Sequence, residues 1–84
     1  MAPYGIFMRL EAVSSFKITK GIQRQQISSF IDSLAGDPNR PGDYSEKDDS
    51  QRQMEIKVIG QSAITYWTDH AVREVKILDI RKAD

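Results

Sequence analysis

The strongest constraint on this chain is the run EIKVIGQSAITYWTDHAVREVKILDI, Glu55 to Ile80, in which apolar residues alternate with polar ones, break, and alternate again. Met54, Ile56 and Val58 project to one side of an extended segment, and Gly60 ends it. Ala63 to Trp67 makes the next strand, TDHA a turn, and Val75 to Ile80 the last. In that last strand Val75 and Ile77 fall on one face and Leu78 and Ile80 on the other, as in an interior strand or one with a β-bulge near Ile77. Strands of this kind need a cover for their apolar face.

The cover is predicted upstream. Ile27, Phe30, Ile31 and Leu34 recur at i, i+3, i+4, i+7, while Gln23, Arg24, Gln25, Ser28 and Asp32 are left for water. That pattern predicts an amphipathic helix from about Thr19, its expected N-cap, with Gly21 weakening the first turn. It stops at LAGDP, where Gly36 is suited to a left-handed cap and Pro38 cannot continue. Before it, Ile6, Met8, Leu10 and Ala12 alternate with Phe7, Arg9, Glu11 and Val13, which predicts a first strand over 6–13. The expected fold class is α+β: one small β-α-β-β-β domain over 1–84, a mostly antiparallel sheet with one helix packed on one face.

With 84 residues, such a domain has a thin core, which a homodimer would support. There is no cysteine, so neither a disulfide nor a cysteine zinc site is available, and a reducing cytoplasm fits. No apolar run is long enough to span a bilayer, and the first residues lack the pattern of a signal peptide, so export and membrane insertion are not expected. Twelve basic and twelve acidic side chains cancel, and any attraction to nucleic acid must come from a local patch. Residues 37–53 read as a long loop whose acids, Asp43, Glu46, Asp48 and Asp49, are solvated charge rather than an EF-hand ligand set.

Few residues point to chemistry. His70 beside Asp69 sits in a predicted turn, with no Ser, Cys or second His nearby in sequence to complete a nucleophile or a metal set, so turn chemistry is the expected role. Tyr66 and Trp67 face opposite ways, one into the core and one outward. The cations Arg52, Lys57, Lys76, Arg81 and Lys82 cluster in the strand region, and a meander would bring several onto the face or rim that the helix leaves bare. A phosphate-sized patch there competes with simple pairing of Lys57 and Lys76 to Glu55 and Glu74.

FIDSLAGDPNRPGDY, followed by MEIKVIGQSAITYW and REVKILDIRKAD, resembles the RelE/ParE superfamily of bacterial toxin components of type II toxin-antitoxin pairs, over about residues 8–84. That family opens at the first strand, which leaves Met8 as an alternative start to Met1 and residues 1–7 as an extension. The resemblance implies a cognate antitoxin-like partner. In its mRNA-cleaving branch it implies a metal-free, ribosome-dependent ribonuclease without cofactor, and in its ParE-like branch a DNA gyrase inhibitor. Carried over by position, Lys57 stands on the strand bearing a catalytic cation, and Arg81 with Lys82 follows the last strand, where another is usual. Where the ribonucleases resemble YRLVY, with an Arg aimed at the scissile phosphate, this chain has SAITYW and places Ala63 there. No terminal Tyr or His follows Lys82. The family also commonly has a helical hairpin where the pattern here has room for one helix. These departures predict weakened or lost cleavage, and the alternative is a non-catalytic interaction module of the same fold.

Overall fold

The computed structural model describes residues 3–83, in the order β1 (Gly5–Met8), α1 (Leu10–Ile18), α2 (Gly21–Gly36), β2 (Tyr44–Lys47), β3 (Gln53–Ile59), β4 (Ser62–Asp69) and β5 (Glu74–Lys82). One five-stranded sheet runs β1-β5-β4-β3-β2, antiparallel throughout except for the parallel pair β1–β5. The class is α+β, as expected. The single expected helix is instead a helical hairpin, α1 lying against β5 and α2 against β1, β3 and β5.

The predicted stripe of α2 is the core. Ile27, Phe30, Ile31 and Leu34 are buried with Ala12 of α1 and with Ile64, Tyr66, Val75, Ile77 and Ile80 of the sheet. Phe30 meets Tyr66 edge-on at 5.6 Å between ring centroids. Thr65 pairs with Asp79 and Tyr66 with Ile77, which leaves Leu78 as the extra residue of a bulge on β5. The bulge resets the alternation, so Val75, Ile77 and Ile80 all reach the helices.

The first strand was expected to run to Val13, and it ends at Met8. The Arg9 N–H bonds the Ile77 carbonyl at 2.9 Å, and the chain then turns into α1. There Ala12 and Phe16, one helical turn apart, face the core while Leu10 stays 74% exposed. Thr19 is the C-cap of α1 rather than an N-cap. Its N–H returns to the Phe16 carbonyl and its hydroxyl donates to the Ser15 carbonyl at 2.9 Å. Gly21, at φ +66°, turns the hairpin into α2, a conformation most side chains resist. Gly36 ends α2 without a left-handed φ; the Asp37 N–H bonds the Leu34 carbonyl, and Pro38 follows.

The loop of 37–53 contains β2, an exposed edge strand. Asp48 is more than solvated charge: its Oδ1 accepts the N–H groups of Ser50 and Arg52, both at 2.9 Å, and shapes the turn into β3. Of residues 1–7, Gly5 to Phe7 belong to β1 and the Tyr4 N–H bonds the Ala35 carbonyl, while Met1 and Ala2 lie outside the described residues.

Candidate functional site

Residues opposite one another on neighbouring strands share a face, which fixes where each cation points. Lys57 is opposite Ile64, a core residue, so it lies on the helix-bearing face, near the β2 edge. Lys82 is opposite Ser62 on that same face. Arg81 is opposite Ala63 on the bare face. The structure therefore brings Arg81 against Ala63 and sets Lys57 and Lys82 on the other side of the sheet. Of the five cations, several of which were expected on the bare face or rim, three lie on that face, Arg52, Lys76 and Arg81, and Lys57 and Lys82 do not.

Four of the five, all but Lys82, are already engaged locally. Lys57 Nζ lies 3.3 Å from Asp43 Oδ1, so its partner is Asp43 rather than the expected Glu55. The other Asp43 oxygen accepts the Val58 N–H at 2.8 Å. That N–H foremost, with Lys57 adding to it, holds the Asp43 carboxyl below its ordinary value. Arg81 Nε meets Asp79 Oδ2 at 2.7 Å, and Lys76 Nζ meets Glu74 Oε1 at 2.8 Å while lying over the Phe7 ring. Arg52 stacks 4.1 Å from the Trp67 ring centroid.

The bare face around Ala63 is apolar. Met54, Ile56 and Val58 of β3 point there with Ala63 and Thr65 of β4, and Ile56 is only 3% exposed although no helix covers it. Sequence reasoning missed the depression beside them, about 310 Å³, with Met54, Thr65 and Leu78 among its lining. Two ion pairs border it, Arg81–Asp79 and Arg9–Glu11, the latter at 3.0 Å. Reading 6–13 as one strand hid the second of these. Two cations and two carboxylates leave the hollow without a net charge.

The remaining sequence candidates serve the fold. Asp69 accepts the Ala71 N–H at 3.1 Å, so it shapes the turn and does not orient His70, whose Nδ1 instead meets the Tyr4 hydroxyl at 2.7 Å. Among the described residues no three His, Asp or Glu side chains are grouped to hold a metal ion. Tyr66 is the core member of the Tyr66–Trp67 pair, 1% exposed, its hydroxyl donating to the Arg40 carbonyl at 2.9 Å.

Burial, reinforced by Glu55, pushes the Tyr66 phenol from its usual 10.0 up to about 12. The unfolded chain ionises this group first, so the stability it contributes is present below about pH 10 and lost as pH rises to about 12. Urea midpoints are expected to fall between about pH 9 and about pH 11 in the wild type, and less steeply in Tyr66→Phe. Equal alkaline slopes would show that Tyr66 is not the titrating group.

No protein-family model matches the sequence, and the sequence comparison with curated proteins finds no match. Solved structures do match. One is a RelBE2 toxin-antitoxin complex from Mycobacterium tuberculosis, at TM-score 0.76 and 17% identity over 96% of this chain and 99% of that one. Another is an archaeal RelE-RelB complex from Pyrococcus horikoshii, at TM-score 0.78 and 13% identity over 95% and 94% of the two chains. A YoeB/ParE toxin from Agrobacterium tumefaciens matches at TM-score 0.69 and 9% identity, over 95% and 99%.

Proposed function

We propose that this chain, which has the fold of the RelE/ParE toxins, is a toxin-family member of a toxin-antitoxin pair that binds an antitoxin-like small protein and has lost effective mRNA cleavage. The observation that carries the loss is the composition of the face bearing Ala63. By the resemblance, that position belongs to an Arg directed at the scissile phosphate, so its face is the one that would receive RNA. In this chain β3 and β4 supply Met54, Ile56, Val58, Ala63 and Thr65 to it.

Phosphodiester cleavage needs a base near the 2′-hydroxyl, an acid for the leaving 5′-oxygen, and fixed positive charge around the non-bridging oxygens. Arg81 and Arg9 offer charge, but Asp79 and Glu11 offset it. Lys57 alternates to the far side of β3 and is not available to a phosphate held at Arg81. Losing one group that stabilises developing charge costs a factor of roughly a hundred to a thousand in rate, and here more than one is missing. Zero net charge adds no long-range attraction to a ribosome. A gyrase-directed activity has no particular side chain in its favour.

The test is induced expression of the wild type beside the double variant Lys57→Ala with Arg81→Ala, following growth and transcript integrity. Neither chain is expected to arrest growth or cut transcripts, and the two cultures should be indistinguishable. Ribosome-dependent cleavage by the wild type that the double variant lacks would overturn the proposal.

A further inference from the structure

The end of the molecule that carries the helical hairpin departs from the rest in both polarity and charge. Ile18, the last residue of α1, and Ile22, in the first turn of α2, are 79% and 73% exposed on either side of one short turn. Isolated exposed apolar residues are ordinary, but here two isoleucines stand four positions apart across one turn, and the first of them lines a cleft. Between Glu11 and Asp32 the sequence has Lys17, Lys20 and Arg24 and no acid at all. Among the described residues none of these three, nor Lys82, has a carboxylate within ion-pair distance.

The hairpin tip is fixed to the sheet rather than free. Gln23 Nε2 donates to the Ile59 carbonyl at 2.5 Å, and Gly60, at φ +58°, lets the β3–β4 turn approach the Gln23 side chain. Between tip and sheet lies a cleft of about 460 Å³, with Ile18 and Thr19 on one wall, Ile80 in its floor, and Gln61 and Lys82 opposite.

We propose that this cleft and the two isoleucines form the docking surface for an acidic segment of the partner protein, one that presents aliphatic side chains to Ile18 and Ile22 and carboxylates to Lys20 and Lys82. The inference rests on the partner reading above and adds where that partner is held and by what chemistry. Charge complementarity selects the acid: this end carries unpaired cations on a chain whose net charge is zero. Concavity separates a protein segment from a lipid surface, which engages convex apolar residues. The exposed aliphatic anchors Ile18 and Ile22 disfavour a phosphate backbone, which offers them no apolar surface.

The experiment coexpresses the chain with the small protein encoded in the adjacent reading frame and measures the affinity of the purified pair. Three variants accompany the wild type: Ile18→Ser with Ile22→Ser, Lys20→Glu with Lys82→Glu, and Val72→Ser as a control in the β4–β5 turn. All five positions are exposed, and thermal melts confirm that each variant is folded. Both double variants are expected to weaken binding at least about tenfold, with the control unchanged and the wild-type affinity falling as salt is raised. A pair that forms equally well with every variant overturns the docking surface and leaves the partner reading standing. If the wild type captures no adjacent-frame protein, the partner reading fails and this surface with it. A wild-type homodimer that the isoleucine variant abolishes, or wild-type binding to anionic vesicles that it abolishes, would assign the patch to a second copy or to lipid and refute the proposal.

Discussion

Phe30→Ala is expected to cost about 3–5 kcal/mol of stability, a large part of what a domain of this size possesses. The ring lies in the buried stripe of α2, edge-on to Tyr66, with the Arg40 guanidinium 5.0 Å from its centroid. Truncation leaves a void between helix and sheet and takes the packing surface from both neighbours. Asp49→Ala, an exposed position in the β2–β3 turn, should stay within about 0.5 kcal/mol. Urea melts of the two variants compare them directly, and equal midpoints would mean that the stripe of α2 does not carry the core.

The second large effect is expected at Gly42→Val. A Cβ there would stand 2.8 Å from the backbone nitrogen of Ile56 and 2.7 Å from its carbonyl carbon, closer than real side chains approach a backbone. The chain passes so near because Gly42 N–H donates to Glu55 Oε1 at 3.0 Å and Asp43 N–H to the Ile56 carbonyl at 2.8 Å. Pushing the loop away would break both bonds, at about 2–3 kcal/mol, and would also withdraw the Asp43 carboxylate from Val58 and Lys57. The Val58 amide should then exchange with solvent much faster than in the wild type. Unchanged exchange and an unchanged melting temperature would refute the close approach.

What the sequence revealed depended on whether burial and periodicity coincide. They do so in α2, where all four predicted stripe residues are buried; the order and approximate limits of β3 to β5 also follow from the alternation, although β4 is buried on both faces from Ala63 to Tyr66. They part company in α1. Leu10 extends the period of two set by Ile6 and Met8, but it is the residue most exposed in that stretch, so the alternation was accidental there. Strand β2, YSEK, is exposed at every position and held only by backbone pairing with β3, which no side-chain pattern reports.

The site shows a subtler limit. Alternation along β3 correctly separates Lys57 from Met54, Ile56 and Val58. It does not say which of those sides the helices occupy, and the apolar trio suggests the wrong one, because Ile56 is buried on the bare face by its own neighbours. The position of Ala63 against Arg81 needed the register of β4 with β5, and that register includes a bulge the sequence left as one of two readings.

The parallel pairing of β1 with β5 joins strands far apart in sequence, Gly5 with Glu74 and Met8 with Ile77. Contacts so distant in sequence are slow to form and come late, after a large loss of loop entropy. During synthesis β1 and the hairpin emerge well before β5, the strand that lies between β1 and the rest of the sheet. A ribosome that halts before Glu74 would hold a chain whose helices already display Ile27, Phe30 and Leu34 with no completed sheet to receive them. Between the emergence of α2 and that of β5, the apolar stripe of α2 lacks the Val75, Ile77 and Ile80 side chains that cover it in the folded chain.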